Sequence, residues 1–382
     1  MSSDGDARAV PQQKAPRQKA PRVEGVDLAR GLASAIMVQG HAYDGWVNAE
    51  EKATASYLFT RVLGTLPLPS FLVLAGAAIA LRCESARTRG EDAKSVRHGL
   101  AKRGLTVMAA GYAVNVFSAL VDGFEGPETF FRADVLQLIG LTIALFSMTA
   151  IRMRDGIVDK RALMFGATLL AIVPVALCTT LSTLATQVPM PLGYVLAPFI
   201  AIPSVSVMPA VPLSSWMGVG VLSGLLLIHL NRDARAIAGA PRHVFAAMLV
   251  VSLAIVLGFT RLTTLWVEAS GQPLSRMHPA VIANAIELAA RGVVILSLGG
   301  LLSPILPERV RRILLRLGRG SLVAYVFHVP FCYGAFGRPI QGQLGMLEAT
   351  GFVVLLQIAS FTAVWLRDAW TARNAKSNAV RA

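Results

Sequence analysis

The chain has 382 residues, of which 54% are hydrophobic and 15% are charged, and its formal net charge is +14. Soluble domains contain about 25% charged residues, so this composition excludes an ordinary soluble domain and predicts an all-α polytopic membrane protein. The basic excess then follows from membrane topology and attraction to anionic membrane lipid, and it does not indicate a nucleic-acid partner.

Residues 1–22 are polar and contain no continuous apolar stretch, so they are predicted to be a disordered cytoplasmic tail rather than a secretory signal. Apolar stretches of about twenty residues, the length that crosses a bilayer as a helix, follow this tail. Ten transmembrane helices are predicted, at about 28–47, 62–82, 100–121, 133–151, 162–183, 213–231, 244–264, 280–303, 320–337 and 345–366. The apolar stretch 184–212 contains six prolines and is predicted to be re-entrant or surface-lying, because proline at that density breaks regular helix.

The basic residues alternate between the connections of these helices. Most of the 36 lysine and arginine residues fall in every second connection and in the two terminal segments. By the positive-inside rule those segments are cytoplasmic, so both termini are predicted to be cytoplasmic. The opposite loops hold few basic residues, namely Lys52, Arg61, Arg132, Arg276 and Arg338.

Polar residues share one face of the first predicted helix. Arg30 and His41 are eleven residues apart, which is about 20° past three full turns and roughly 16 Å along a helix axis. Asp27 and Ser34 fall on the same stripe. Ionisable groups inside a membrane helix are costly, so this stripe predicts a functional site that runs from Arg30 near the cytoplasmic end to His41 near the outer end. The alternative is that Asp27 and Arg30 mark the membrane interface and that His41 only packs.

The fourth predicted helix opens from the outer side with Arg132, Asp134 and Gln137. These residues are expected at the same level as His41. A carboxylate there could orient the His41 imidazole and raise its basicity, which makes Asp134 a candidate catalytic residue. Alternatively, Asp134 caps the helix, because the dipole favours a negative charge at a helix N-terminus.

Two later segments contribute further candidates. Ser321, Tyr325 and His328 are spaced i, i+4 and i+7 in the ninth helix, so they share a polar face. His328 could be a second catalytic group or a hydrogen-bonding residue that joins helices. The sixth helix begins near Trp216, which suits an aromatic belt, and its Gly220–Gly224 spacing is typical of close helix packing.

Four motifs in chain order carry a resemblance to a known family. They are Asp27-x-x-Arg30-Gly31 with Met37 and His41; Phe131-Arg132-x-Asp134-Val135-Leu136-Gln137-x-Ile139-Gly140; Pro212 with Trp216-x-Gly218 and Gly224; and Leu317-Gly318 with Ser321, Tyr325 and His328. Together they resemble the catalytic domain of heparan-α-glucosaminide N-acetyltransferase and its bacterial relatives. The spacing of Arg30 and His41 also resembles the Arg-x10-His motif of the wider membrane acyltransferase superfamily. Two positions depart from the family: His278-Pro279 stands where relatives often have Pro-Pro, and the Pro-Trp pair is stretched to Pro212 and Trp216.

The resemblance implies a transmembrane acyltransferase domain at 23–368, followed by a cytoplasmic tail at 369–382, in the inner membrane of a bacterium. It implies acetyl-CoA or another acyl-CoA as the cytoplasmic donor and an amine or hydroxyl of a glycan or glycoconjugate as the acceptor on the outer face. It identifies His41 as the catalytic histidine, which acts as a general base or as a nucleophile. Arg30 is expected to bind the donor phosphates. Arg132, Gln137 and Trp216 are expected to bind the acceptor.

The residues also allow other interpretations. Polar stripes inside membrane helices and proline-broken segments suit a transporter or flippase of an amphipathic or glycolipid substrate, although no internal repeat supports it. A structural membrane subunit would not need the stripe that contains His41. No metal is expected, because Cys83, Cys178 and Cys332 have no metal spacing, and they form no disulfide framework. A homodimer is compatible with the sequence.

Overall fold

The computed structural model describes residues 24–123, 126–230, 242–270 and 278–381, so the predicted tail at 1–22 lies outside the described residues. The described residues are mostly helical. The helices are α1 (Glu24–Trp46), α2 (Ala55–Gly64), α3 (Pro67–Thr88), α4 (Ala93–Asp122), α5 (Pro127–Phe131), α6 (Val135–Ala150), α7 (Lys160–Ala185), α8 (Met190–Leu196), α9 (Ala210–Leu213), α10 (Ser215–Leu230), α11 (Arg242–Ser270), α12 (His278–Leu302), α13 (Glu308–Arg319), α14 (Ser321–Cys332) and α15 (Met346–Arg381). Short 3₁₀ helices lie at Glu51–Ala53 and Arg338–Ile340, and strands β1 (Met153–Arg154) and β2 (Ile157–Val158) form an antiparallel hairpin.

Seven helical segments of the described residues are long and apolar enough to cross a membrane. They are Ala55–Thr88, Ala93–Asp122, Lys160–Ala185, Ala210–Leu230, Arg242–Leu262, Ala283–Leu302 and Met346–Ala375. Each corresponds to one of the ten predicted transmembrane helices. The described residues therefore form an all-α integral membrane protein.

The other three predicted transmembrane helices correspond to α1, α6 and α14. Helix α1 is 23 residues long but is more polar than the seven. Helices α6 and α14 are apolar but have only 16 and 12 residues, fewer than the usual length of a spanning helix. The predicted segment 320–337 was too long, because α14 ends at Cys332 and an irregular turn with a 3₁₀ helix follows it.

The proline-rich stretch 184–212 contains no long helix, as its proline content predicted. It holds α8, α9 and irregular backbone between them. Ile202 and Val205 pack with Ala133 in a small apolar cluster. The amide of Ala133 donates to the Val205 carbonyl at 3.1 Å, and the Ala133 carbonyl accepts from Val207 at 2.9 Å. This stretch therefore holds the residues that precede α6 in place.

Glycines allow the central helices to approach closely. A Cβ atom on Gly76 of α3 would lie 2.1 Å from the Met217 carbonyl oxygen of α10, and one on Gly220 of α10 would lie 2.1 Å from the Val73 oxygen of α3. Gly224, four residues later, lies against Ala77 and Ala80. The close packing that the Gly220–Gly224 spacing predicted is thus confirmed. Leu72 and Leu74 of α3 and Leu296 of α12 are fully buried in the main core.

Ion pairs define two ends of the bundle. At one end, hereafter the cavity end, Arg61 pairs with Asp44 at 2.7 Å and Arg338 with Asp122 at 3.4 Å. At the opposite end, the amphipathic helix α13 pairs with neighbouring helices, with Arg311–Glu24 at 3.1 Å, Arg319–Asp27 at 3.2 Å and Arg316–Asp368 at 3.6 Å. Helix α1 runs from the opposite end to the cavity end. It carries Arg30 in its first two turns and His41 in its last two.

Candidate active site

His41 and His328 form a hydrogen-bonded pair at the cavity end. The Nδ1 atom of His41 lies 2.8 Å from the Nε2 atom of His328, and the two rings stack with centroids 5.1 Å apart. The Nδ1 atom of His328 lies 2.7 Å from the carbonyl oxygen of Ala324. His41 is partly exposed, whereas His328 is fully buried. The structure therefore brings together two predicted catalytic residues that are 287 positions apart.

The hydrogen bonds determine which ring nitrogen carries a proton. A carbonyl oxygen only accepts, so Nδ1 of His328 must donate to Ala324. When His328 is neutral, its Nε2 atom is then the acceptor, and Nδ1 of His41 must donate to it. The Nε2 atom of neutral His41 is left with a free lone pair. That atom can accept a proton or attack an electrophilic carbon.

The crossing of α1 and α14 explains the pairing. A Cβ atom on Gly45 would lie 2.3 Å from the carbonyl oxygen of Cys332, so the two backbones touch there. The indole Nε1 of Trp46 donates to the Phe331 carbonyl at 2.9 Å in the same region. His41 precedes Gly45 by four residues, and His328 precedes Cys332 by four. One helical turn back from the crossing, the two rings therefore face each other.

A cavity of about 1010 Å³ adjoins the pair and has His41 in its wall. Four other predicted site residues line the same cavity, namely Arg132, Asp134, Gln137 and Trp216. His328 lies behind His41 rather than in the wall. Further lining residues are both apolar and charged, and they include Met37, Phe71, Leu288, Arg61 and Asp44. The cavity thus offers both apolar and charged surface to a molecule that reaches the His41 imidazole.

Asp134 and Gln137 form a capping box at the start of α6. The Asp134 carboxylate accepts from the Val135 amide at 2.7 Å, and the Gln137 side-chain oxygen accepts from the Asp134 amide at 3.2 Å. The carboxylate also lies 3.6 Å from Arg132. Asp134 therefore caps α6, as the alternative interpretation expected. In the structure, the side chain that hydrogen-bonds to His41 is His328, and the catalytic role of Asp134 stays a prediction.

Gln137 and Trp216 are almost completely buried in the cavity wall. Gln137 is 1% exposed, and its Nε2 group has no hydrogen-bond acceptor in the described part of the chain. Trp216 is 3% exposed, and its Nε1 group donates to the Ala285 carbonyl at 3.0 Å. Trp216 can therefore offer only ring surface, whereas Gln137 retains an amide donor.

Arg30 lies away from the cavity, near the opposite end of the bundle. Its guanidinium is 3.7 Å from the Asp27 carboxylate and 3.5 Å from the Leu74 carbonyl oxygen. Asp27 also accepts from Arg319 at 3.2 Å. Arg30 and Arg319 therefore share the Asp27 carboxylate where α1 meets α13.

Several cavity residues were missed by the sequence analysis. Asp44 accepts from Arg61 at 2.7 Å and from Tyr333 at 3.0 Å, and the Tyr333 ring lies 5.4 Å from the His41 ring. Asn115 donates to the carbonyls of Phe130 and Arg132 and so holds the start of the cavity wall. Asp44 follows His41 by three residues, a spacing that puts both on neighbouring positions of one helix face and could have identified it.

Within the part of the chain that the structure describes, no group of three or more histidine, cysteine or acidic side chains could hold a metal ion. The histidine pair can perform acid–base or nucleophilic chemistry on a substrate in the cavity. The partly exposed imidazole of His41 is oriented by the buried imidazole of His328. This is the combination of a reactive group and a positioning group that transfer reactions use.

Comparison with protein families supports a transferase. The family model described as heparan-alpha-glucosaminide N-acetyltransferase, catalytic, matches residues 22–259. The matched range contains Arg30, His41, Arg132, Asp134 and Trp216, whereas His328 lies beyond it. No curated protein matches the chain. The family implies a membrane N-acetyltransferase-type activity with an acyl donor and a glycan acceptor. Because the matched range is more than half of the chain, the chain belongs to the heparan-alpha-glucosaminide N-acetyltransferase catalytic family.

Proposed function

We propose that this protein transfers an acyl group, most simply acetyl, from cytoplasmic acyl-CoA to an amine or hydroxyl of a glycan or glycoconjugate at the outer membrane face. The observation that carries the proposal is the hydrogen bond between His41 and His328 at the wall of a large cavity. Family membership supplies the reaction class, and the pair supplies a group able to perform it.

In the proposed reaction, Nε2 of His41 is the reactive atom. It removes the proton of the acceptor amine or hydroxyl, or it attacks the acyl carbon to form an acyl-imidazole. Either step puts positive charge on the His41 ring. The Nδ1–H group then donates more strongly to Nε2 of His328, which stabilises that charge. His328 is therefore proposed to act on substrate through His41.

The acceptor is proposed to bind among the other cavity residues. At the N-terminus of α6, Arg132 offers a charged hydrogen-bond donor and Asp134 a charged acceptor. Gln137 offers an amide N–H group that has no acceptor among the described residues, which suits a sugar hydroxyl or carbonyl. Trp216 contributes an apolar ring face of the type on which sugar rings pack. Aromatic surface with a few directed polar groups is typical of small-molecule sites.

Both termini are predicted to be cytoplasmic, with the cavity end outside. The basic residues of the predicted outer loops that the structure describes lie at the cavity end, namely Lys52, Arg61, Arg132 and Arg338. There, Lys52 donates to the Asp44 carbonyl at 2.8 Å. Reporter domains that are active on only one side of the membrane, fused to either terminus, test this. A C-terminal reporter active outside the cell would contradict the topology.

Arg30→Ala is expected to weaken acyl-CoA affinity about ten- to hundredfold and to leave acceptor affinity nearly unchanged. Charge-assisted bonds to phosphate contribute on the order of 1.5–3 kcal/mol each. The variant should fold, because Asp27 keeps its bond to Arg319. Calorimetric titration of acyl-CoA measures the effect. Arg154→Ala, on the exposed β-hairpin, is the control for lost positive charge. A folded Arg30→Ala protein with wild-type donor affinity would eliminate the phosphate-binding role.

The experiment that tests the proposed function uses the purified full chain in detergent or lipid vesicles. Isotope-labelled acetyl-CoA is added with and without a set of amino sugars and glycolipids, and labelled product and free CoA are measured by mass spectrometry. Transfer of label supports the proposal. Movement of a glycolipid across vesicle membranes without release of CoA would identify a flippase instead. If CoA is released only when acceptor is added, and in proportion to it, the reaction is transfer. Release of CoA without acceptor would indicate hydrolysis of acetyl-CoA.

A further inference from the structure

Tyr325 has a feature that the mechanism above does not use. Tyr325 lines the cavity and is 9% exposed. Its hydroxyl makes no hydrogen bond with any residue in the described ranges. The ring packs with Met37 and Leu136 in an apolar cluster. Its edge lies against the His328 ring, with centroids 5.7 Å apart and an angle of 85° between the planes. The hydroxyl is therefore an unpartnered donor beside the histidine pair.

Other tyrosines at this end of the bundle show how unusual this is. The Tyr43 hydroxyl lies 2.8 Å from the Thr350 hydroxyl, and the Tyr333 hydroxyl donates to Asp44 at 3.0 Å. Tyrosine hydroxyls inside proteins usually have a hydrogen-bond partner. The Tyr325 hydroxyl is not among the fully buried atoms of the described residues that lack one, so it is open to the cavity. A donor without a protein acceptor in a cavity wall is thus expected to meet one on a ligand.

We propose that the Tyr325 hydroxyl donates a hydrogen bond to the carbonyl oxygen of the acyl group during transfer. This inference rests on the proposed acyltransferase function. Tyr325 precedes His328 by three residues on α14, and His328 holds His41, so one helix turn carries both groups toward the reacting centre. Donors directed at the oxygen that becomes negative stabilise the transition state of acyl transfer.

In the general-base route, the acceptor oxygen or nitrogen forms a bond to the thioester carbon, and its proton passes to Nε2 of His41. The carbonyl oxygen becomes an oxyanion that accepts from the Tyr325 hydroxyl. The carbon–sulfur bond then breaks, the carbonyl reforms, and His41 returns the proton to the departing CoA thiolate. If His41 is the nucleophile, the same oxygen becomes negative in each half-reaction, so the role of Tyr325 is unchanged.

Tyr325→Phe tests this, because it removes only the hydroxyl and keeps the packed ring. The variant should fold, since the hydroxyl bonds to no residue that the structure describes. We expect kcat to fall about a hundredfold, while the KM values for donor and acceptor change by less than about threefold. Tyr43→Phe is the matched control: it also loses one buried hydroxyl, but outside the cavity, and should retain wild-type kcat.

A second measurement does not depend on turnover. Infrared spectra of ¹³C-carbonyl acetyl-CoA bound to the protein without acceptor should show a lower carbonyl stretching frequency in wild type than in Tyr325→Phe, because a hydrogen bond weakens the carbonyl bond. An equal frequency in both proteins, a wild-type kcat in Tyr325→Phe, or a change confined to KM would each overturn the role of Tyr325. A wild-type protein that transfers no acyl group would instead refute the proposed function.

Discussion

His41→Ala is expected to reduce acyl transfer to the background rate. The substitution removes the only reactive nitrogen that the histidine pair presents to the cavity, and acid–base catalysis by a positioned side chain typically contributes 10²–10⁴-fold. The protein should still fold, because His41 lies in a cavity wall. Water can replace its imidazole as the hydrogen-bond donor to Nε2 of His328. Transfer of labelled acetyl to an acceptor, measured beside a thermal unfolding curve, gives both quantities.

Two comparisons sharpen the result. His98→Ala removes an exposed histidine on α4, whose Nδ1 atom lies 2.9 Å from the Lys94 carbonyl oxygen, and should not change turnover. His328→Ala keeps the reactive nitrogen of His41 but removes the acceptor that orients the His41 ring. Turnover should therefore fall less in His328→Ala than in His41→Ala. Wild-type turnover in His41→Ala would refute the catalytic assignment. If His328→Ala abolished acyl transfer and His41→Ala did not, the reactive residue would be His328.

Gly220→Ala is expected to prevent stable packing of α3 against α10. The new Cβ would lie 2.1 Å from the Val73 carbonyl oxygen, a backbone atom that cannot rotate away. The helices would have to separate by more than an ångström, which would loosen the main core around Leu72 and Leu74. Overpacking of a core commonly costs about 1–3 kcal/mol and occasionally more. We expect a lower unfolding temperature and a smaller yield of monodisperse protein.

Gly258→Ala is the matched control, since no atom of a neighbouring residue lies within 4 Å of a Cβ built there. Alanine has a higher helix propensity than glycine, so this variant should be at least as stable as wild type. Thermal unfolding in one detergent, followed by tryptophan fluorescence, compares the three proteins. If Gly220→Ala unfolded at the wild-type temperature, the close approach of α3 and α10 in the structure would be wrong.

Local and compositional information was sufficient for much of this protein. Apolar runs identified the membrane class and placed each of the ten predicted segments on a helix, because a bilayer selects helices by length and hydropathy. The Gly220–Gly224 spacing indicated close packing, since small side chains are what such packing requires. Because Asp134 stands just before an apolar run, the sequence also indicated that it could cap the helix that follows. The first apolar run placed Arg30 and His41 on one helix, and their spacing predicted that they share a face.

The tertiary structure decided what those local signals could not. His41 meets His328 only because α1 and α14 touch at Gly45 and Cys332, and no spacing rule links residues 287 positions apart. Beside the same crossing, α14 ends at Cys332, and Tyr333 donates a hydrogen bond to Asp44, 289 positions away. The cavity, the buried amide of Gln137 and the unpartnered hydroxyl of Tyr325 likewise exist only between helices. Periodicity determines which face of a helix is polar, whereas packing between helices determines which polar faces meet.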